Sequence, residues 1–195
     1  YIFQDILKNV NGPEGVFNNM VKRKPNDPAW YKGGLYHDNM PFKVPAFWFV
    51  SWYDVSSSPN LAMVNHIKEK AAMNKAIADN QYLVIAPTLH CSYTRASENT
   101  MVGELSVGDA RLNYNEQIYS WFDKWLKGVE NDFTAKTPKV QYYTMGLNKW
   151  QLADTWPPAG VQIQTFYLGS GGKANSLHGD GKLSTVTPAK NNPND

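Results

Sequence analysis

An α/β fold that runs on into β-sandwich strands is the expectation for this chain of 195 residues, and three patterns predict it. Two apolar runs, Lys43 to Asp54 and Tyr82 to His90, each end on one ionisable residue; a stretch of helical periodicity lies between them; and from Thr137 the apolar residues alternate at every second position. Short apolar runs that stop abruptly read as strands buried on both faces, the mark of a parallel sheet. Alternation at period two reads as strands with one face in solvent.

Residues 1–40 open with a short helical pattern over Tyr1 to Val10, then a Gly12-Pro13 break, an apolar patch at Val16, Phe17 and Met20, and a polar loop from Lys22 to Pro28. Trp30, Tyr31 and Tyr36 lie just ahead of the first strand. Trp30 and Tyr31 are candidates for the wall of a substrate pocket, and packing between layers is the other role that large aromatics fill in such a place. Trp52 and Tyr53, immediately before Asp54, are further pocket candidates.

The two strand ends are separated by 90 − 54 = 36 residues, enough for one crossover containing a helix, and Ser58 to Asn80 reads as that helix. Leu61, Val64, Ile67 and Ala71 fall on one helical face, and His66 falls near the polar, solvated side. In open α/β sheets the loops beyond the carboxyl ends of the strands form the site, so Asp54 and His90 can meet there as acid and base. For Asp54 the alternative is a turn residue that caps the following helix; for His90 it is a core imidazole satisfied by backbone. Cys91 is a pocket candidate. A Cys91–His90 nucleophile pair is disfavoured, because neighbours along an extended chain point to opposite sides.

After His90 a polar excursion leads to Tyr114–Lys127, where Ile118, Trp121, Phe122, Trp125 and Leu126 form one stripe of an amphipathic helix, with Gly128 as C-cap and Lys124 and Lys127 complementing its dipole. Val140, Tyr142 and Thr144 alternate with Gln141, Tyr143 and Met145, and Val161 to Leu168 alternates more cleanly; both read as sandwich strands. The glycines at 169, 171, 172, 179 and 181 are turn chemistry, and His178 among them is a surface residue.

Four motifs in this order carry a family resemblance: Val44-Pro45 leading into Ser51-Trp52-Tyr53-Asp54; Ile85-Ala86-Pro87-Thr88-Leu89-His90; Trp121 to Gly128; and Met145 to Trp150 with Trp156-Pro157-Pro158. Over roughly residues 41 to 185 the chain resembles the X-Pro dipeptidyl-peptidase/cocaine esterase/α-amino-acid ester hydrolase family. The resemblance implies a serine hydrolase with an α/β-hydrolase core, a helical cap and a C-terminal jelly-roll sandwich. It assigns residues 1–40 to the tail of the cap, 41–136 to the C-terminal part of the catalytic domain and 137–195 to the first part of the sandwich. It makes Asp54 the triad acid and His90 the triad base, in the order nucleophile, acid, histidine along the chain. Where the family usually writes Gly-Trp-Tyr-Asp and Pro-Trp-x-His-Gly, this chain has Ser51, Thr88 and Cys91, departures that bear on the shape of the acyl pocket.

No Gly-x-Ser-x-Gly elbow occurs; Ser106, in Gly103-Glu-Leu-Ser-Val-Gly108, has the wrong spacing and follows the histidine. The two or three strands legible before residue 136 make a sheet too narrow to stand alone. The nucleophile and the rest of the sheet are therefore expected from an N-terminal remainder of the same enzyme, in this chain or another. The expected substrate is a small ester or short peptide, no cofactor or metal is implied, and homo-oligomerisation stays open. A net charge of +2 without basic runs offers no footprint for nucleic acid or an anionic membrane. No apolar stretch approaches the ~20 residues of a membrane span. One cysteine rules out an internal disulfide and leaves both the redox compartment and the localisation undetermined. Three other classes remain: an inert binding or assembly subunit, an aromatic-rich carbohydrate-binding module, and a metal hydrolase with His37, Asp38, Asp54 and His90 as ligands.

Overall fold

A computed structural model describes residues 2–12, 15, 19–33 and 36–187. The expected apolar patch at 16 and 17 lies outside the described residues; Met20, its third member, is exposed. Helix α1 spans Ile2–Asn9 and a 3-10 turn spans Pro28–Gly33.

The centre is a four-stranded sheet in which residues 46–53, 81–89, 140–144 and 149–153 lie side by side in that order. Strand β1 (Ala46–Tyr53) and β2 (Gln81–Leu89) are parallel, as the apolar runs predict, and β2 is buried along almost its whole length. Alternate residues of β1 face opposite layers. Trp48, Val50 and Trp52 meet Leu83, Ile85 and helix α2 (Ser57–Lys70) on one side. On the other side the rings of Phe47 and Phe49 approach Tyr82, Phe133 and Tyr114. Two layers of side chains thus hold the sheet, each buried aliphatic contributing about 1.5–3 kcal/mol.

The crossover expected as one helix is two. α2 stops at Lys70, a turn follows, and α3 (Lys75–Ala78) begins after Asn74. The break places Ile77 and Ala78 beside Ala71 around Phe42, a cluster that a straight helix would split between two faces. Val64 and Ile67 are buried on the predicted stripe. His66 is not freely solvated: its Nε2 donates to the Asp38 carbonyl at 3.1 Å. Gln81, buried at the start of β2, accepts from Trp48 Nε1 and donates to the Val44 and Ile77 carbonyls. Its amide is satisfied on both sides, as a buried amide must be.

Beyond β2 come the hairpin β3 (Thr100–Val102) and β4 (Leu105–Gly108), then α4 (Tyr114–Lys127) and α5 (Phe133–Lys136). α4 has the predicted bounds, with Asn113 as N-cap and Gly128 left-handed at φ +68°. Its stripe is less covered than expected: Ile118, Trp121 and Trp125 are half-buried, but Phe122 and Leu126 are exposed.

The largest difference from expectation concerns the strands after Thr137. β5 (Val140–Thr144) pairs parallel to β2, and β6 (Lys149–Ala153) pairs antiparallel to β5. Both belong to the sheet that carries Asp54 and His90 rather than to a separate sandwich. Tyr143 locks β5 in place, its hydroxyl donating to the Val107 carbonyl of β4 at 2.5 Å. Only the end of the run 161–168 is a strand: β7 (Tyr167–Gly169) pairs with β8 (Lys182–Ser184) in a separate exposed hairpin. His178 is exposed, as expected.

Candidate active site

Asp54 and His90 follow directly on the last residues of β1 and β2. Because these strands are parallel neighbours, both residues emerge at the same edge of the sheet. Asp54 Oδ2 lies 2.5 Å from His90 Nδ1. The carboxylate side chain is largely covered, at 10% exposure, whereas the imidazole is open, at 72%.

The other carboxylate oxygen, Oδ1, accepts the Ser56 backbone N–H and the Ser56 hydroxyl, each at 2.8 Å. The two roles weighed for Asp54 are thus divided between its oxygens, one ordering the turn into α2 and one meeting the imidazole. These contacts hold its pKa down to about 2: the Ser56 N–H contributes most, then the hydrogen bond to His90, then the Ser56 hydroxyl. An ionised Asp54 only accepts, so in the neutral imidazole the proton sits on Nδ1 and the Nε2 lone pair faces outward.

What Nε2 faces corrects one expectation. Cys91 Sγ lies 3.3 Å from His90 Nε2. Side-chain alternation fails here because β2 ends at Leu89 and Cys91 takes a left-handed backbone, φ +55°, which turns its side chain back over the preceding ring. The thiol donates to Nε2, and Cys91 itself is exposed.

The remaining pocket candidates divide. Tyr53 stands half-exposed at the tip of β1 beside the pair. Trp52 points into the sheet's packing layer, its Nε1 donating to the Tyr143 carbonyl at 2.8 Å and its ring 5.8 Å from Trp156; that position makes it a structural anchor. Trp30 donates from Nε1 to the Lys24 carbonyl, and Tyr31 packs on His37; no described contact joins either to Asp54 or His90. Ser106 bonds Asn99, away from the imidazole. Asp38 approaches His66 rather than His90, and among the described residues no three His, Cys, Asp or Glu side chains converge as metal ligands would.

Two sets of residues around the pair escaped the sequence reading. Ser56 and Ser57 brace the turn, with Ser57 Oγ 2.5 Å from the Ser51 carbonyl and 2.7 Å from that of Asp54; an Asp followed two and three residues on by Ser is a local signal for such a turn. The second set, Ser51 and Thr88, shows in the sequence as two departures from the family's motifs, but nothing local signals that their hydroxyls meet at 3.1 Å.

Comparison with known proteins adds what the chain is similar to. The X-Pro dipeptidyl-peptidase C-terminal non-catalytic domain matches residues 131–195, a span that excludes Asp54 and His90. The cocaine esterase of Rhodococcus sp. (strain MB1 Bresler) is 28% identical over 173 residues, which cover 87% of this chain and 28% of that protein. By these matches the chain is similar to X-Pro dipeptidyl-peptidases and cocaine esterase, with residues 131–195 resembling the C-terminal domain of the former. Two solved structures share the fold. An α-amino acid ester hydrolase superposes with a TM-score of 0.51 at 24% identity, over 77% of this chain and 23% of the other. An aminopeptidase from a marine sediment Thaumarchaeota archaeon superposes with a TM-score of 0.50 at 21% identity, over 79% and 23%. The chain therefore spans about a quarter of the length of these relatives. At the family level the X-Pro dipeptidyl-peptidase/cocaine esterase relatives are hydrolases and esterases.

Proposed function

We propose that this chain supplies the acid and the base of a Ser-His-Asp relay in a serine hydrolase that cleaves acyl esters or X-Pro or α-aminoacyl peptides, with acyl transfer as a variant. The serine comes from an N-terminal segment outside these residues. The observation that carries this reading is the 2.5 Å contact between Asp54 Oδ2 and His90 Nδ1 at adjacent parallel strand ends.

In this scheme Nε2 of His90 takes the proton of the serine hydroxyl as the oxygen attacks the substrate carbonyl, and returns it to the leaving alcohol or amine as the acyl–leaving-group bond breaks. Water then repeats the sequence and releases the acid. Asp54 stays ionised throughout, keeps the imidazole in the Nδ1–H tautomer and stabilises its charged form. Within the same proposal, residues 1–40 form the tail of a helical cap, 41–136 together with β5 and β6 form the C-terminal part of the catalytic domain, and the residues after β6 begin a jelly-roll sandwich.

The test is turnover of a panel of p-nitrophenyl esters and X-Pro anilides by the complete protein. His90→Ala and Asp54→Asn are each expected to lower kcat by about 10⁴-fold, while circular dichroism stays that of wild type; near-normal rates in either would reject the relay.

One observation favours a second reading. The thiol of Cys91 already sits 3.3 Å from Nε2, where an attacking group would sit, so Cys91 would be the acylated atom. Cys91→Ala separates the two, since the serine scheme retains turnover in this variant and the thiol scheme loses it. If the complete wild-type protein turns over none of these substrates, a binding or assembly role without catalysis is what is left.

A further inference from the structure

We infer that Ser51 and Thr88 are positioning residues for the Asp54–His90 pair: their buried hydroxyl–hydroxyl bond pins a one-residue bulge in β2 that brings His90 level with Asp54. This deepens the proposed function and rests on it. From Ala46↔Gln81 to Ser51↔Ala86 the parallel strands pair at a constant offset, 81 − 46 = 35 and 86 − 51 = 35. The next pair, Tyr53↔Leu89, has 89 − 53 = 36, so β2 takes up one extra residue between Ala86 and Leu89. The offset of the acid and the base is also 90 − 54 = 36. At the offset of the lower ladder, Asp54 would stand opposite Leu89, and His90 would stand opposite the fully exposed Val55. A bulge re-aims the side chains that follow it, and here it re-aims the imidazole.

The extra residue falls at Pro87-Thr88. Proline has no N–H for a ladder, so in an inner strand it belongs at a bulge, and Pro87 is fully buried there. Thr88 then has a hydroxyl in a dry environment, at 3% exposure, and its partner is the hydroxyl of Ser51, at 4% exposure and 3.1 Å away. The same Ser51 passes its carbonyl to Ser57, which also reaches the Asp54 carbonyl, so the pin is continuous with the turn that holds the acid. Both hydroxyls stand at positions where this chain departs from the motifs of the family it resembles, and the two departures answer each other. Removing either one leaves a buried hydroxyl unpaired and the register without its tie.

The experiment uses the complete protein and reads kcat, KM and the low-field proton resonance of the short Nδ1–H···Oδ2 bond. Thr88→Val and Ser51→Ala are each expected to lower kcat on the order of tenfold to a hundredfold, with KM near wild type and the low-field resonance lost. Thr88→Ser, which keeps the hydroxyl, is expected to retain both the rate and the resonance. The double variant is expected to fall no further than the worse single one, because both remove the same contact. Unchanged kcat and resonance in Thr88→Val, or equal losses in Thr88→Ser and Thr88→Val, would overturn the pin. His90→Ala and Asp54→Asn are assayed alongside: inactivity in those two with normal Thr88→Val and Ser51→Ala sinks only the pin. Full activity in His90→Ala sinks the relay, and the resonance still reports whether the pin sets the geometry.

Discussion

At the scale of single residues, Asp54 is the group whose chemistry the surroundings change most. Its folded-state pKa of about 2 lies below the ordinary 3.8, so its contacts stabilise the fold fully above pH 3.8 and lose that effect as the pH falls through about 2. The melting temperature of wild type should therefore exceed that of Asp54→Asn at about pH 5, and the difference should close between 3.8 and about 2. A constant difference across that interval would show that the Ser56 and His90 contacts do not depend on the charge. For the same reason, any acidic limb in the pH–rate profile above 3.8 belongs to a group other than Asp54. Cys91 shows the limit of residue-level rules. Alternation of side chains holds only while the backbone stays extended, and a non-glycine residue at positive φ is uncommon enough that nothing in the local sequence announces it.

At the scale of elements, local signals read α4 well and the sandwich run poorly. α4 carries its own stop and start: Asn113 accepts the Glu116 N–H, and Gly128 adopts the left-handed turn that ends the helix. A side chain added at Gly128 meets nothing within 4 Å, so Gly128→Ala charges only the backbone. A loss of about 1 kcal/mol in urea unfolding is expected; no loss would mean that the helix ends elsewhere in solution. β5 could not be placed by the same means. Its alternation from Val140 to Thr144 reports two unlike faces, but pairing with β2 rather than with a later strand is set by partners such as Leu83 and Val84, almost sixty residues back in the chain. The split of the crossover into α2 and α3 is likewise a packing outcome, since it exists to gather Ala71, Ile77 and Ala78 around Phe42.

At the scale of the whole molecule, the described residues present an acid and a base at one sheet edge and a half-covered apolar stripe on α4, within a chain about a quarter as long as its relatives. A relay needs a hydroxyl in line with Nε2. Treatment of the complete, active protein with a serine-directed phosphonate should place the adduct on a serine outside residues 1–195, located by peptide mass spectrometry. An adduct on Ser106 or any other serine of residues 1–195 would move the nucleophile into this chain, and alkylation of Cys91 that stops turnover would favour the thiol reading instead.

The residues alone determined that two buried strands end on Asp54 and His90 with a crossover between them, because burial on both faces writes itself as an uninterrupted apolar run and the run's end marks the edge of the core. They also determined α4, whose caps are local chemistry. Only the tertiary structure decided that His90 stands level with Asp54, that Cys91 folds back onto Nε2, and that β5 and β6 extend the same sheet. Each of these depends on a pairing offset or a backbone angle set by contacts between segments distant in the chain, and a change of one residue in register leaves composition and periodicity untouched.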